Sequence, residues 1–145
     1  MAPEKTIKLD PKTEAVFKRK GYSIEKMLNE GAFGQVYKGA NNKTGELVAI
    51  KVMDLDAVGE KFKTKFLPRE LGALMDIKHT NVIYIHDIIR ANKKIYIFME
   101  FANGGDITGY LTKSGPIPKP LTCYWFTQTT RAIHYIHTEM KMAHR

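Results

Sequence analysis

Cysteine is nearly absent: Cys123 is the single one in 145 residues. A lone thiol closes no internal disulfide. That excludes a disulfide-stapled secreted scaffold and points to a reducing, cytoplasmic compartment. No apolar run approaches the roughly 18 residues that a membrane span needs, so no membrane partner is expected. The opening Met1-Ala2-Pro3-Glu4-Lys5 is charged and lacks the apolar stretch of a secretory signal. Metal-finger spacings of Cys and His are missing, as is an aromatic box of the RNA-binding kind. No internal repeat or low-complexity tract interrupts the chain. Acidic residues are the scarcer charge, 15 against 23 Lys and Arg, which leaves a formal +8. Such a balance favours anionic partners, nucleotides included. The basic residues are dispersed, densest at Lys18-Arg19-Lys20 and at Lys61, Lys63 and Lys65, so specific nucleic-acid binding is not expected. What is present in quantity is apolar side chain, 43% of the sequence, enough to bury the core of one average domain.

Residues 1–20 are polar, Lys-rich and weakly periodic, and read as a basic leader. Residues 21–102 read as a strand-rich lobe with one helix, and 103–145 as a hinge followed by helices. The expected strands are Tyr22–Asn29, Gln35–Ala40, Glu46–Met53, Ile83–Arg90 and Ile95–Phe101. Asn41–Gly45 and Ala91–Lys94 have turn composition. A helix is expected over Glu60–Asp76, with Pro68 as a possible break or late start. Asn103-Gly104-Gly105 has the makings of a hinge. Asp106 is a good N-cap for a short helix to about Lys113. After the breaker-rich Ser114–Pro120, apolar residues at helical spacing predict a long helix over Leu121–Met140.

Three patterns carry chemistry. In Leu28-Asn29-Glu30-Gly31-Ala32-Phe33-Gly34-Gln35-Val36, Gly31 and Gly34 allow backbone N–H groups to approach a phosphate closely, although a plain β-turn has the same glycines. Strand-like residues follow, not the helix that a dinucleotide-binding loop requires. In Val48-Ala49-Ile50-Lys51, alternation puts Ala49, Lys51 and Met53 on one strand face and Val48, Ile50 and Val52 on the other. A half-buried ammonium needs a partner, whereas one on an edge strand snorkels to water. Glu70, nineteen positions after Lys51 on the expected helix, is a candidate partner, and equally a solvated carboxylate beside Arg69.

Glycine loop, V-A-I-K strand, helical Glu, hinge and the final His144-Arg145 occur in an order that resembles the eukaryotic protein kinases from about Tyr22 onward. The terminal pair resembles the start of H-R-D, and Phe66-Leu67-Pro68-Arg69-Glu70 is similar to the testis-specific serine/threonine kinases. One departure stands out: Asn29 replaces the first glycine of G-x-G-x-x-G-x-V. Asn tolerates positive φ better than most residues, so a stiffer loop is expected, not a lost one.

The resemblance implies an α+β fold, a five-stranded antiparallel sheet with one helix leading into an incomplete helical lobe. It implies ATP as ligand and transfer of the γ-phosphate to protein hydroxyls. Gly31 and Gly34 would cover the phosphates, and Leu28, Val36 and Ala49 would roof the adenine. Lys51 and Glu70 would form an activating ion pair. Met99 would back the pocket, with Leu74 and Ile85 packed behind it. The backbone at Glu100 and Ala102 would meet the adenine edge, and Asp106 the ribose or a basic substrate side chain. The Asp of H-R-D and the family's Mg²⁺ ligands, an Asn and the D-F-G Asp, do not occur in these 145 residues. The expectation is therefore an ATP-binding portion that does not itself transfer phosphate. The alternative is a non-catalytic, pseudokinase-like regulatory fragment.

Overall fold

The computed structural model describes residues 7–31, 34–56 and 67–143, with side chains from Leu71 onward in the last segment. Five strands form one antiparallel sheet: β1 (Tyr22–Gly31), β2 (Gly34–Asn41), β3 (Leu47–Asp54), β4 (Ile85–Ala91) and β5 (Lys94–Glu100). Their spatial order is β1-β2-β3-β5-β4, so β3 and β5 are the central strands. This is the α+β arrangement expected. Helix α2 is described over Leu67–Asp76, a span that includes Pro68. The remainder of the expected helix, residues 60–66, lies outside the described residues.

Alternation divides the sheet into two apolar faces. Val48, Ile50 and Val52 join Tyr37, Ile89, Tyr96 and Phe98 in one buried cluster. Ile95 and Ile97 face the other way, packed against Met53, Leu71, Ile85, Ile88 and Met99. Leu71 belongs to α2, so that helix covers the Lys51 face.

The opposite face is covered by an element that composition concealed. Residues expected to form a polar leader fold instead as helix α1 (Pro11–Lys20). Local signals for it are complete. Asp10 caps the N-terminus through the Lys12 and Thr13 amides, Pro11 stands at the start, and Gly21 closes the end at φ 87°. What weakens the periodic signal is brevity: Thr13 and Phe17, four residues apart, are the buried positions. The Phe17 ring meets Tyr96 and Phe98 edge-on, each with centroids 5.1 Å apart. Thr13 is fully buried, and its hydroxyl donates to Asp10 while the Tyr96 phenol bonds to it. Asn92, on the β4–β5 turn, donates to the same carboxylate at 3.1 Å.

Hydrogen bonds from Thr13, first its side chain and then its backbone, hold the Asp10 carboxyl below the usual carboxylate range. A depressed carboxylate stabilises the fold above its unfolded pKa, and the contribution disappears as pH falls through the lower, folded value. The N-terminal turn of α1 should therefore loosen below about pH 4. The Thr13 and Glu14 amide resonances report it. Asp10→Asn, also a good cap but without a titrating proton, should abolish that step, and an identical acid profile in the variant would disprove the assignment.

The chain divides into two compact units. One holds the sheet with α1 and α2; the other comprises Asp76–Tyr84 and the residues from Ala102 onward. In the second, α3 (Ile107–Ser114) and α4 (Lys119–Thr138) contact through Tyr110 against Trp125, rings 5.3 Å apart and T-shaped. Segment 76–84 is tied to α4. The Lys78 amide donates to the Tyr135 hydroxyl, and Asn81 Nδ2 donates to Gln128 Oε1 at 3.0 Å. Tyr124 and Phe126 of α4 stay exposed, at 63% and 71%.

Candidate nucleotide site

Cross-strand register gathers several of the chemistry-bearing residues. Val36 of β2 pairs with Lys51 of β3, which pairs with Ile97 of β5. The next row on the same face is Lys38, Ala49 and Met99. Directly paired side chains share a face and stand about 5 Å apart. Val36, Ala49, Lys51 and Met99 therefore lie on two adjacent rows of one sheet face. The pairing needs β3 and β5 adjacent although residues 55–93 lie between them, which no local pattern specifies.

Lys51 is half-buried in that face, flanked by Val36 and Ile97 and one row from the buried Ala49. Such a position suits an ammonium whose stem lies on apolar neighbours while its head meets an anion. Glu70 is on α2, but its side chain lies outside the described residues, so the expected Lys51–Glu70 pair is placed only as far as its two elements. Met99 packs beside Ile95 and Ile97 on the Lys51 face. Ile85 belongs to the same cluster and pairs with Met99, while Leu74 is half-buried on α2.

Gly31 and Gly34 form the closing pair of the β1–β2 hairpin, with Asn29 opposite Val36 and Glu30 opposite Gln35. Residues 32 and 33 lie outside the described residues. The two glycines are not equivalent. Gly34 has φ 120°, and a Cβ there would stand 2.2 Å from the Val52 carbonyl oxygen; a Cβ on Gly31 would meet nothing within 4 Å. Gly34 is thus required by the fold, whereas Gly31 leaves open space above its backbone, the condition for an N–H group to reach a phosphate. Asn29, in place of the first glycine, uses its side-chain oxygen to accept from the Glu30 amide at 2.8 Å. It is not among the residues with positive φ, so the substitution is absorbed without left-handed backbone. Leu28 is 43% exposed near the hairpin end.

Glu100 ends β5. Ala102 and Asp106 belong to the second unit and are exposed. The Asp106 carboxylate caps α3 by accepting from the Gly109 amide at 2.7 Å, as its N-cap reading required. That bond explains its position without a ligand. Among the described residues no group of three or more His, Cys, Asp or Glu could hold a metal ion. No helix among them is long and apolar enough to cross a membrane.

The protein kinase domain matches residues 22–145, from the first residue of β1 onward. The chain belongs to the protein kinase domain family. It is 36% identical over 118 residues to the testis-specific serine/threonine-protein kinase 3 of Mus musculus, covering 81% of this chain and 44% of that one. It is 31% identical over 125 residues to the testis-specific serine/threonine-protein kinase 4 of Homo sapiens, covering 86% and 38%. The CBL-interacting protein kinase 30 of Oryza sativa subsp. japonica is 33% identical over 117 residues, covering 81% and 25%. This chain thus spans less than half the length of these curated kinases. The helix α1 lies ahead of the matched kinase domain.

Sequence reasoning overlooked Phe17 and gave Phe98 no role. The Asp10-Pro11 and Gly21 caps were the available signal for α1. Nothing local indicates that its one aromatic ring seats on Phe98.

Proposed function

We propose that the face bearing Val36, Ala49, Lys51 and Met99 grips ATP, and that the chain is the nucleotide-binding part of a protein serine/threonine kinase. The complete kinase would transfer the γ-phosphate to protein hydroxyls. The observation that carries the reading is the row Val36–Lys51–Ile97, which seats one ammonium in an apolar sheet face beside the glycine hairpin. Lys51 would neutralise the α- and β-phosphates, with Glu70 of α2 as its orienting carboxylate. Gly31 and Gly34 would present backbone over the phosphates. Leu28, Val36 and Ala49 would cover the adenine, Met99 would bound the pocket, and the Glu100 and Ala102 backbones would hydrogen-bond the adenine edge. Asp106 would face the ribose or a basic substrate side chain, in addition to capping α3.

In the complete domain Mg²⁺ would be held by an Asn and the D-F-G Asp and would neutralise phosphate charge. These 145 residues contain neither its D-F-G ligand nor the Asp that orients the substrate hydroxyl. A polypeptide of residues 1–145 should accordingly bind ATP without transferring phosphate.

Equilibrium titration with a non-hydrolysable ATP analogue tests the reading. Charge-assisted hydrogen bonds contribute about 1.5–3 kcal/mol each, so Lys51→Met should weaken binding by about 10- to 100-fold. Affinity unchanged by Lys51→Met would overturn the assignment. Measurable γ-phosphate transfer by residues 1–145 would overturn the proposed inactivity.

A further inference from the structure

The end of β5 is held unevenly by its neighbours. On the β3 side the pairing is regular and continues to Val48 with Glu100. On the β4 side the ladder stops at Ile85 with Met99 and is irregular between Ile85 and Asp87. The strand end that leads to Glu100 therefore receives from β4 less support than the rest of β5.

The last turn of α1 and the first residue of β1 land at that weak point. Tyr22 stacks on Phe98 with ring centroids 4.1 Å apart, and Phe17 meets the same ring edge-on. Phe98 has no exposed surface. Lys20 Nζ binds Asp87 Oδ2 at 2.8 Å, on the irregular stretch itself. The other oxygen of Asp87 accepts from the Ile88 amide at 2.8 Å. At its opposite end α1 is tied to the β4–β5 turn through Asp10 and Asn92. The helix thus lies as a splint along β4 and β5, its aromatic end on the residue that immediately precedes Met99.

We propose that Phe17, Lys20 and Tyr22 are positioning residues for the adenine-contacting end of β5. They clamp Phe98 and the β4 irregularity, and through them set the Met99–Glu100 backbone. The proposal rests on the nucleotide reading above, and it assigns a part in base recognition to α1, ahead of the matched kinase domain, and to the first residue of that domain. Fixing a backbone before the ligand arrives removes an ordering cost from binding. The effect should appear in base selectivity more than in triphosphate binding, because Lys51 and the glycine hairpin lie on other strands, β3 and β1–β2, whereas Phe98 directly precedes Met99 and Glu100.

Two readouts on residues 1–145 test it. Amide hydrogen exchange at Phe98–Phe101 should accelerate in Phe17→Ala. Preference for ATP over GTP analogues should fall about five- to tenfold, the equivalent of roughly one hydrogen bond. Phe17→Leu, which restores an apolar contact, should recover most of both. If Phe17→Ala fails to fold, Lys20→Met serves instead, since a half-exposed ion pair contributes little to global stability. It should raise exchange at Phe98–Phe101 with the unfolding midpoint nearly unchanged. Exchange and selectivity both equal to wild type in Phe17→Ala, or in Lys20→Met where that variant is used, would overturn the proposal. A wild-type chain that binds neither nucleotide would overturn the nucleotide reading and the base-recognition role built on it. The exchange comparison would still decide whether α1 positions β5.

Discussion

Phe98→Ala is expected to cost about 3–5 kcal/mol, the range for truncating a fully buried phenylalanine. The ring has zero exposure on a central strand and is contacted edge-on by Phe17 of α1 and face-on by Tyr22 of β1. Aromatic pairs add about 0.5–1.5 kcal/mol beyond buried area, and this substitution removes two of them. The cavity would open between α1 and β5, where both elements have regular backbone and little freedom to collapse. Domains of ordinary stability hold only about 5–15 kcal/mol in all, so a large share of the sheet unit's stability would go. Chemical denaturation followed by near-ultraviolet circular dichroism measures it. Phe126→Ala is the control: the ring is 71% exposed on α4, and surface changes of that kind stay within about 0.5 kcal/mol. Equal losses from the two variants would mean that the sheet's outer face is not the core described.

Gly34→Ala should be the most damaging single-methyl addition in the hairpin. Two costs act together. A φ of 120° is a conformation that side chains with a Cβ rarely adopt, and the new methyl would collide with the Val52 carbonyl, a backbone atom that cannot swing aside. Strain of about 1–3 kcal/mol and overpacking of a similar size predict a loss of about 2–6 kcal/mol. Gly31→Ala should differ in kind. Its Cβ enters open space, so stability should stay within about 0.5 kcal/mol. The same methyl occupies the space proposed for a phosphate, so ATP affinity should drop. Unfolding curves and nucleotide titrations on both variants separate the roles. A stable Gly34→Ala, or a Gly31→Ala that binds ATP undiminished, would contradict them.

How far the residues foretold these features varied with the range of the interaction. The strands were legible because side chains alternate by covalent geometry, and Val48–Met53 is long enough to show it. The hairpin turn at Asn92-Lys93 was legible from composition, and both residues adopt positive φ there. The N-cap role of Asp106 was legible because it reaches only three residues along the chain. Helix α1 was missed although its caps were written plainly, because two buried residues in ten do not make a periodic stripe. Strand limits moved by one or two residues, as at β4, which begins at Ile85 and not Ile83.

By itself the sequence determined which residues could share a strand face, where helices could start and stop, and that Gly31 and Gly34 were both candidates for close approach to a phosphate. These follow from backbone geometry and from contacts within a few residues. Tertiary structure alone decided what lies against each face of the sheet, since both faces are apolar and alternation cannot name a cover. It set α1 over Phe98 and α2 over the Lys51 side. It brought Val36, Lys51 and Ile97 into one row, because burying two apolar faces at once requires β5 to lie beside β3.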